Sequence, residues 1–440
     1  MLIFIYLALS ILFIIITTSK FNWHPIFSLF FACFLCGILM GLPLSEIINS
    51  IKNGFGNTLK SIGLIIVFSI IMGEFLKESG SIEMFGNIIL SKFKNNSILS
   101  LNFLGLFLGI VVFCDSGFLI LNSISKSIVS SSNISLASLN LSLSGGLYTS
   151  HTLIPPTPGP LAAISNLNAN QFIGYAIIVG SIVSIPSSLV SFFYAKKFSK
   201  NIQIDLSKIK KTNNKNLILP ILVILTPTLL IGSSTLLNII ELNKSSNSIF
   251  QILKVLGNPL IAISIGTIIC FLLPSKNNNN NKKKWIQNSL KISGPILILT
   301  SLGGAFGEVL KNSDLSNIIN ESALNLSLNP IHILFFAFII CALLKTSQGS
   351  STSSLIIGSS ILFPILQSMN ISDPWMIALI VASLGSGAMT VSHANDSYFW
   401  IVTQSTSLNI SEGYKKFTLM TLFQGIISFI TIIVIYIIIT

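Results

Sequence analysis

Apolar runs of roughly membrane-crossing length recur along this chain, and that succession constrains its fold more than any other feature. They lie near 2–18, 26–44, 61–76, 98–114, 133–150, 170–194, 217–240, 255–274, 292–310, 330–345, 374–392 and 417–439. A helix of about 20 apolar residues spans the hydrocarbon core of a bilayer. Two further pieces, 117–130 and 350–367, are interrupted by Ser, Gly or Lys and read as short spans or re-entrant hairpins. Only 9% of the residues are charged against 51% hydrophobic, with a mean hydropathy of +0.83. A soluble domain needs far more charge. The expected fold is therefore an all-α polytopic membrane protein of about 12–14 transmembrane segments. The stretch 1–18 has no basic leader and no small-residue cleavage site, so it reads as the first span rather than a signal peptide.

The basic excess, a formal +12, is entirely lysine. It suits an anionic membrane surface rather than nucleic acid. Lysines concentrate in 196–215 and 276–291, the second around the asparagine run 277–281. The positive-inside rule makes both loops cytoplasmic. The five cysteines (Cys33, Cys36, Cys114, Cys270, Cys341) all sit in apolar runs and read as small buried hydrophobes.

An internal repeat divides the chain. Gly73, Glu74, Leu76, Lys77 and Ser79 match Gly307, Glu308, Leu310, Lys311 and Ser313 as G-E-x-L-K-x-S. Gly146 with Thr149, Ser150 and His151 resembles Gly387 with Thr390, Ser392 and His393. The expected halves are 1–195 and 217–440, joined by the lysine-rich linker 196–216. Counting spans from the lysine loops puts 151–169 outside and the segment after His393 inside. Two inverted repeats with broken or re-entrant helices are the architecture of secondary transporters.

The break in the first half lies in 144–160, SGGLYTSHTLIPPTPGP. Pro155, Pro156, Pro158 and Pro160 remove backbone donors and clash with the preceding turn, so no helix continues through them. In lipid, broken backbone survives only where protein buries it or a watery cavity takes it up. Beside this break, Thr149 and Ser150 offer hydroxyls for a polyol, Tyr148 can stack or donate, and His151 can titrate near neutral pH. The alternative is a structured external loop with a satisfied histidine.

Three other stretches carry chemistry. Asp115 ends an apolar run, where a carboxylate is costly unless paired, protonated or at the surface; it reads as a proton or cation site, or else as a helix cap. Lys345 follows a charge-free apolar run and precedes Gln348, Gly349, Ser350 and Ser351. A helix starting there would turn its N-terminal amides and dipole toward a carboxylate; the plain alternative is a snorkelling lysine beside a serine-rich helix contact. In 384–400, Gly385 and Gly387 let the backbone break or pack closely, and His393, Asn395, Asp396 and Ser397 crowd together as proton-relay and hydroxyl-gripping groups; the plain alternative is an ordinary cytoplasmic loop. His151, Asp115, His393 and Asp396 are the proton-coupling candidates. Glu74 and Glu308, each three residues before a lysine, read as helix-end pairs. No metal set is complete, and no cofactor is expected.

Two motifs, SHTLIPPTPGPLAA (150–163) and GSGAMTVSHANDSYFW (385–400), closely resemble the gluconate permease family, sugar-acid/proton symporters within the larger ion transporter superfamily. The segment 345–354 is similar to that family's basic-x-x-Q-G-S-x-T pattern, with lysine where an arginine is the family expectation. The resemblance implies a multi-span inverted-repeat carrier in a bacterial plasma membrane, importing gluconate or a related small hydroxy-carboxylate with a proton. The family also includes carriers of other sugar acids, glycerate and D-serine. Sodium coupling and a homodimer, the latter by analogy alone, stay open. A membrane-embedded enzyme with His151 or His393 as base is the rival from another class. Adjacent Ser150 and His151 point in different directions on a helix, which disfavours a dyad, and no charged ring marks a channel.

Overall fold

The computed structural model describes residues 2–21, 23–82, 84, 96–131, 134–198, 218–239, 248–274, 280–313, 330–394 and 396–439. Most of the expected linker 196–216, most of the asparagine run and Asn395 lie outside the described residues. The described chain is all-helical, as the apolar runs require. In the first half the helices are α1 (Leu2–Ser19), α2 (Pro25–Leu39), α3 (Leu44–Glu78), α4 (Ser97–Leu108), α5 (Cys114–Ser131), α6 (Leu136–Leu153), α7 (Pro158–Asn166) and α8 (Ile173–Lys196). The second half has α9 (Ile218–Ile239), α10 (Ser248–Leu256), α11 (Pro259–Cys270), α12 (Asn280–Lys311), α13 (Pro330–Gln348), α14 (Ser351–Ser368), α15 (Pro374–Met389), α16 (Ser397–Ser405) and α17 (Ile410–Ile439).

Six of the described helices are long and apolar enough to cross a membrane, and α10 with α11, bent by 73°, makes a seventh if counted as one span. The remaining apolar runs form shorter helices, α2, α4 and α15 among them. The expected membrane architecture thus resolves into long spanning helices around a set of short, interrupted ones. At 1.5 Å per residue, the 35-residue α3 is about 52 Å long and overreaches the hydrocarbon core. Its polar first half carries Glu46, Lys52, Asn57 and Lys60, and its apolar second half is largely buried.

Elements recur in the same order in the two halves, α3 through α8 against α12 through α17. The two G-E-x-L-K-x-S helices, α3 and α12, pack on each other antiparallel. Gly54 lies against Gly304 and Ala305, Gly63 faces Leu297, and Phe75 meets Trp285 with ring centroids 5.1 Å apart. A Cβ on Gly54 would sit 2.7 Å from the Ala305 Cα, so only glycine permits this crossing. Such small-residue contacts let helices associate where lipid supplies no hydrophobic drive. Antiparallel pairing recurs for α6 and α15, where Tyr148 Oη lies 3.4 Å from the Ala388 carbonyl oxygen and the α15 backbone at Gly385 presses on Thr152.

The repeated acids form the helix-end pairs expected of them, Glu74 with Lys77 at 3.0 Å and Glu308 with Lys311 at 3.7 Å. All five cysteines are free and buried.

Candidate functional site

The proline motif makes one of the interruptions that define the site. Helix α6 ends at Leu153, Pro155–Pro156 is a cis peptide, and α7 starts with Pro158 at its first position. Pro158 and Pro160 therefore begin a helix, where the first-turn amides have no intrahelical partner to lose. Of the two roles open to Gly385 and Gly387, a break or close packing, the structure shows the second. Both lie inside the continuous helix α15, and a Cβ at either would collide with the backbone at Thr152 or Phe338. They serve close packing; the chain leaves the helix only at Thr390.

A second interruption separates α13 from α14. Gly349 has φ +74°, a left-handed conformation that costs other residues roughly 1–2 kcal/mol. Ser350 then caps α14, its hydroxyl accepting from the Ser353 amide at 3.2 Å.

The interruptions border a half-open cavity of about 410 Å³. Asp115, Tyr148, His151, Gln348, Ser351 and Asp396 are in its wall. Four helix N-termini line it: those of α2 at His24 and Pro25, α5 at Cys114 and Asp115, α14 at Ser350–Ser353, and α16 at Asp396–Tyr398. The first turn of α5 carries Asp115, which answers the positive end of its dipole. The first turn of α14 has only Ser351, Thr352 and Ser353, so its dipole faces the cavity without a fixed anion.

Beside the cavity, Lys345 Nζ lies 2.5 Å from Asp396 Oδ2 and donates to the Gly349 carbonyl at 2.8 Å. Both charged side chains are at least 95% buried. The ammonium also stands 5.6 Å from the Tyr148 ring centroid, a cation–π contact. Asp396 accepts from the Tyr398 amide as the cap of α16 and from the Ser392 hydroxyl. Burying two ions is costly unless the remaining lone pairs and protons are satisfied, and here they largely are. Tyr148 Oη, in turn, is 2.7 Å from Ser351 Oγ, tying α6 to the start of α14.

Two cavity residues hold polar atoms with no partner among the described residues. His151 Nδ1 is buried and unbonded, and its ring leans on Phe113 at 5.3 Å. Both amide atoms of Gln348 are likewise buried and unbonded. An unsatisfied buried polar group costs about 1–3 kcal/mol, so these atoms are the ones in the wall with hydrogen-bonding capacity to spare. Asp115 accepts from Ser397 Oγ at 3.1 Å.

Of the residues singled out in the sequence, His151, Asp115, Gln348, Gly349, Ser350, Ser351 and Asp396 come together here, with Lys345 behind them. Thr149 and Ser150 do not. Thr149 Oγ1 accepts from Gln424 at 2.8 Å, and Ser150 bonds back to its own helix at Gly146 and Leu147. The reason is helical geometry: Tyr148 and His151, three apart, share a face, while the intervening residues turn some 100–200° away. His393 bonds the Thr346 carbonyl at 2.9 Å and does not line the cavity. Sequence reading missed His24, the cap of α2, and Pro295 of α12, both in the wall. A proline inside an apolar run was a usable signal for the latter, because it frees a carbonyl; His24 offered none.

The comparisons agree with this architecture. The family model described as GntP family permease matches residues 1–438. The D-serine transporter DsdX of Escherichia coli O6:H1 (strain CFT073) is 27% identical over 432 residues, covering 96% of this chain and 95% of its own. The gluconate permease of Pseudomonas aeruginosa PAO1 is 25% identical, covering 96% and 95%. The high-affinity gluconate transporter of Escherichia coli K12 is 26% identical, covering 94% of each. The solved structure of the Alcanivorax borkumensis YdaH transporter, described as having an unusual topology, superposes with a TM-score of 0.61 over 88% of this chain and 89% of that one, at 14% identity.

Proposed function

The chain belongs to the GntP family of permeases, and from that premise we propose that it imports gluconate or a related small hydroxy-carboxylate across a bacterial plasma membrane together with a proton. Its relatives are transporters and permeases, and the enzyme reading is set aside on that ground. In this reading 1–195 and 217–440 are the inverted halves, and alternating access arises as one part rocks against the other. The antiparallel packing of α3 on α12 and of α6 on α15 supports it.

One observation carries the coupling. Lys345 is already neutralised by Asp396, and a further carboxylate, Asp115, faces the same cavity. A carboxylate solute at the α14 N-terminus would add a negative charge with no unpaired lysine among the described residues of the wall to answer it. Two like charges 4 Å apart repel by about 4 kcal/mol at an effective dielectric of 20. Carrying that charge inward costs about 2.3 kcal/mol more per 100 mV of inside-negative potential. A proton entering with the solute, held on Asp115, removes both costs. The solute's hydroxyls then fall to Gln348 and His151.

A second reading is favoured by the same carboxylate. An amino acid such as D-serine would present its ammonium to Asp115 and its carboxylate to α14, and would need no proton for charge balance. Sodium could replace the proton in the first reading.

Uptake of labelled gluconate into vesicles holding the purified protein, with an imposed pH gradient and no sodium, tests the proposal. Accumulation that unlabelled gluconate abolishes and D-serine does not is the expected result. Competition by D-serine alone would favour the amino acid, and accumulation that requires sodium would move the coupling ion. No gluconate uptake under either gradient would sink the proposal.

A further inference from the structure

A second polar cavity, of about 150 Å³, lies farther along the same helices. The first touches α12 at 295–299 and the second at 304–311, some 10 residues or about 15 Å on. Helix α14 runs alongside in the same sense, with Ser351 at the first cavity and Phe363 at the second. Between them is a tight seam. A Cβ on Gly303 would stand 2.6 Å from Ile356 Cγ2 and 2.9 Å from both Asn166 Nδ2 and Ser360 Oγ.

The second cavity is walled by Asn57, Ser61, Ser165, Asn166, Glu308 and Lys311, among others. Asn166, only 6% exposed, donates to Ile356 O, Ser359 Oγ and Ser360 Oγ at 3.0–3.1 Å. Its Oδ1 is buried with no partner among the described residues. The two Nδ2 protons are shared among these three acceptors, and the amide stands this way round because Ile356 O can only accept. The unpaired acceptor is therefore committed to something outside the α14 seam. Glu308 and Lys311 stand 3.7 Å apart, looser than a hydrogen-bonded pair, and Ser61 and Ser165 share a 2.9 Å hydrogen bond.

We infer that this cavity is a second station for the same solute, on the far side of the Gly303–Ile356–Asn166 seam, and that it receives the solute's hydroxyl-bearing chain. The inference rests on the transport reading above. A bare cation there would face Lys311, and a bare anion would face Glu308. Hydroxyls answer both, donating to Asn166 Oδ1 and Glu308 and accepting from Lys311 and Asn57.

The test is cysteine accessibility in membrane vesicles of both orientations, using the full chain. Cys114 lines the first cavity, so both cysteine variants are made on a Cys114→Ser background; the other four native cysteines are buried and line neither cavity, and a membrane-impermeant maleimide then reads the introduced thiol. Asn57→Cys and Thr352→Cys should label from opposite faces. Gluconate at ten times its Kd leaves about one site in ten free, so labelling of each should slow about tenfold. Labelling of both from one face, or of Asn57→Cys from neither, overturns the inference. So does protection of Thr352→Cys without protection of Asn57→Cys, which leaves the transport reading standing. Protection of neither removes the solute from both cavities, and the inference falls with the reading it rests on. As a second variant, Glu308→Gln should slow gluconate uptake about tenfold while Thr352→Cys stays protected, about one charge-assisted hydrogen bond. An unchanged rate would overturn the station.

Discussion

Lys345 and Asp396, 51 residues apart in sequence, form a buried ion pair at 2.5 Å that joins the end of α13 to the start of α16. The same carboxylate caps α16, and the same ammonium holds the Gly349 carbonyl at the turn into α14. One charge pair thus fixes the mutual position of three helix ends around the cavity. Removing one partner of a buried pair typically costs about 3–5 kcal/mol, because the other charge is left alone. Lys345→Met and Asp396→Asn should each lower the melting temperature in detergent sharply, whereas the double variant should recover much of the loss. None of the three should accumulate solute, since the turn before α14 loses its anchor. Recovery of uptake in the double variant would show that the pair is scaffolding alone.

His151 and Gln348 test the opposite case. Their buried atoms bond nothing among the described residues, so replacing them breaks no internal hydrogen bond. His151→Phe and Gln348→Leu should leave thermal stability within about 1 kcal/mol of the parent. Each should raise the uptake KM by the equivalent of about 1–3 kcal/mol, the cost of an unanswered polar group on the solute. An unchanged KM in both would take the solute out of this cavity.

Thr149 supplies the matching control. Its hydroxyl is spent on Gln424 and Ser187, away from the cavity. Thr149→Val should cost about 0.5–1.5 kcal/mol of stability, the worth of one hydrogen bond, since Gln424 Nε2 keeps the Gly145 and Ser187 carbonyls, with KM for the solute unchanged. A raised KM at full stability would restore Thr149 as a solute ligand.

Asp115 is the group proposed to carry the coupled proton. Asp115→Asn keeps the shape and the Ser397 contact partner but holds no titratable proton. In vesicles it should still exchange internal for external gluconate, yet fail to concentrate it when a pH gradient is imposed. Full gradient-driven accumulation in this variant would shift the coupling to another group or to sodium.

Glycine at 349 and 303 does two different jobs. At Gly349 the positive φ makes an added Cβ unfavourable by roughly 1–2 kcal/mol, so Gly349→Ala should shift the Lys345 contact and weaken solute binding. At Gly303 the backbone is ordinary helix, but a side chain would press into Ile356 and Asn166. Gly303→Val should cost about 1–3 kcal/mol by overpacking, read as a lower melting temperature. A neutral outcome at Gly303 would mean that the seam has room to yield.

The chain's own order of residues determined a great deal. Apolar runs of bilayer length leave a helical membrane fold as the outcome, because lipid offers no partner to a backbone amide. Clustered prolines at 155–160 locate the break after α6, because four in six residues remove too many amide donors for one helix to absorb, whereas the single prolines Pro186, Pro227, Pro295 and Pro364 are carried inside helices. The G-E-x-L-K-x-S repeat picked out the two helices, α3 and α12, that pack antiparallel. Four of the stretches richest in polar atoms do meet at one cavity, since such groups are costly in lipid and must converge on something that satisfies them. What tertiary structure alone decided is which neighbour each side chain has. Thr149, Ser150 and His151 are consecutive, but a helix turns 100° per residue, so only His151 reaches the cavity. Lys345 reads as a free counter-charge until α16 brings Asp396 to it. Gly385 and Gly387 read equally as a break or a packing contact, and they are a packing surface, because a glycine's lack of a side chain serves either purpose and only the opposing helix decides between them.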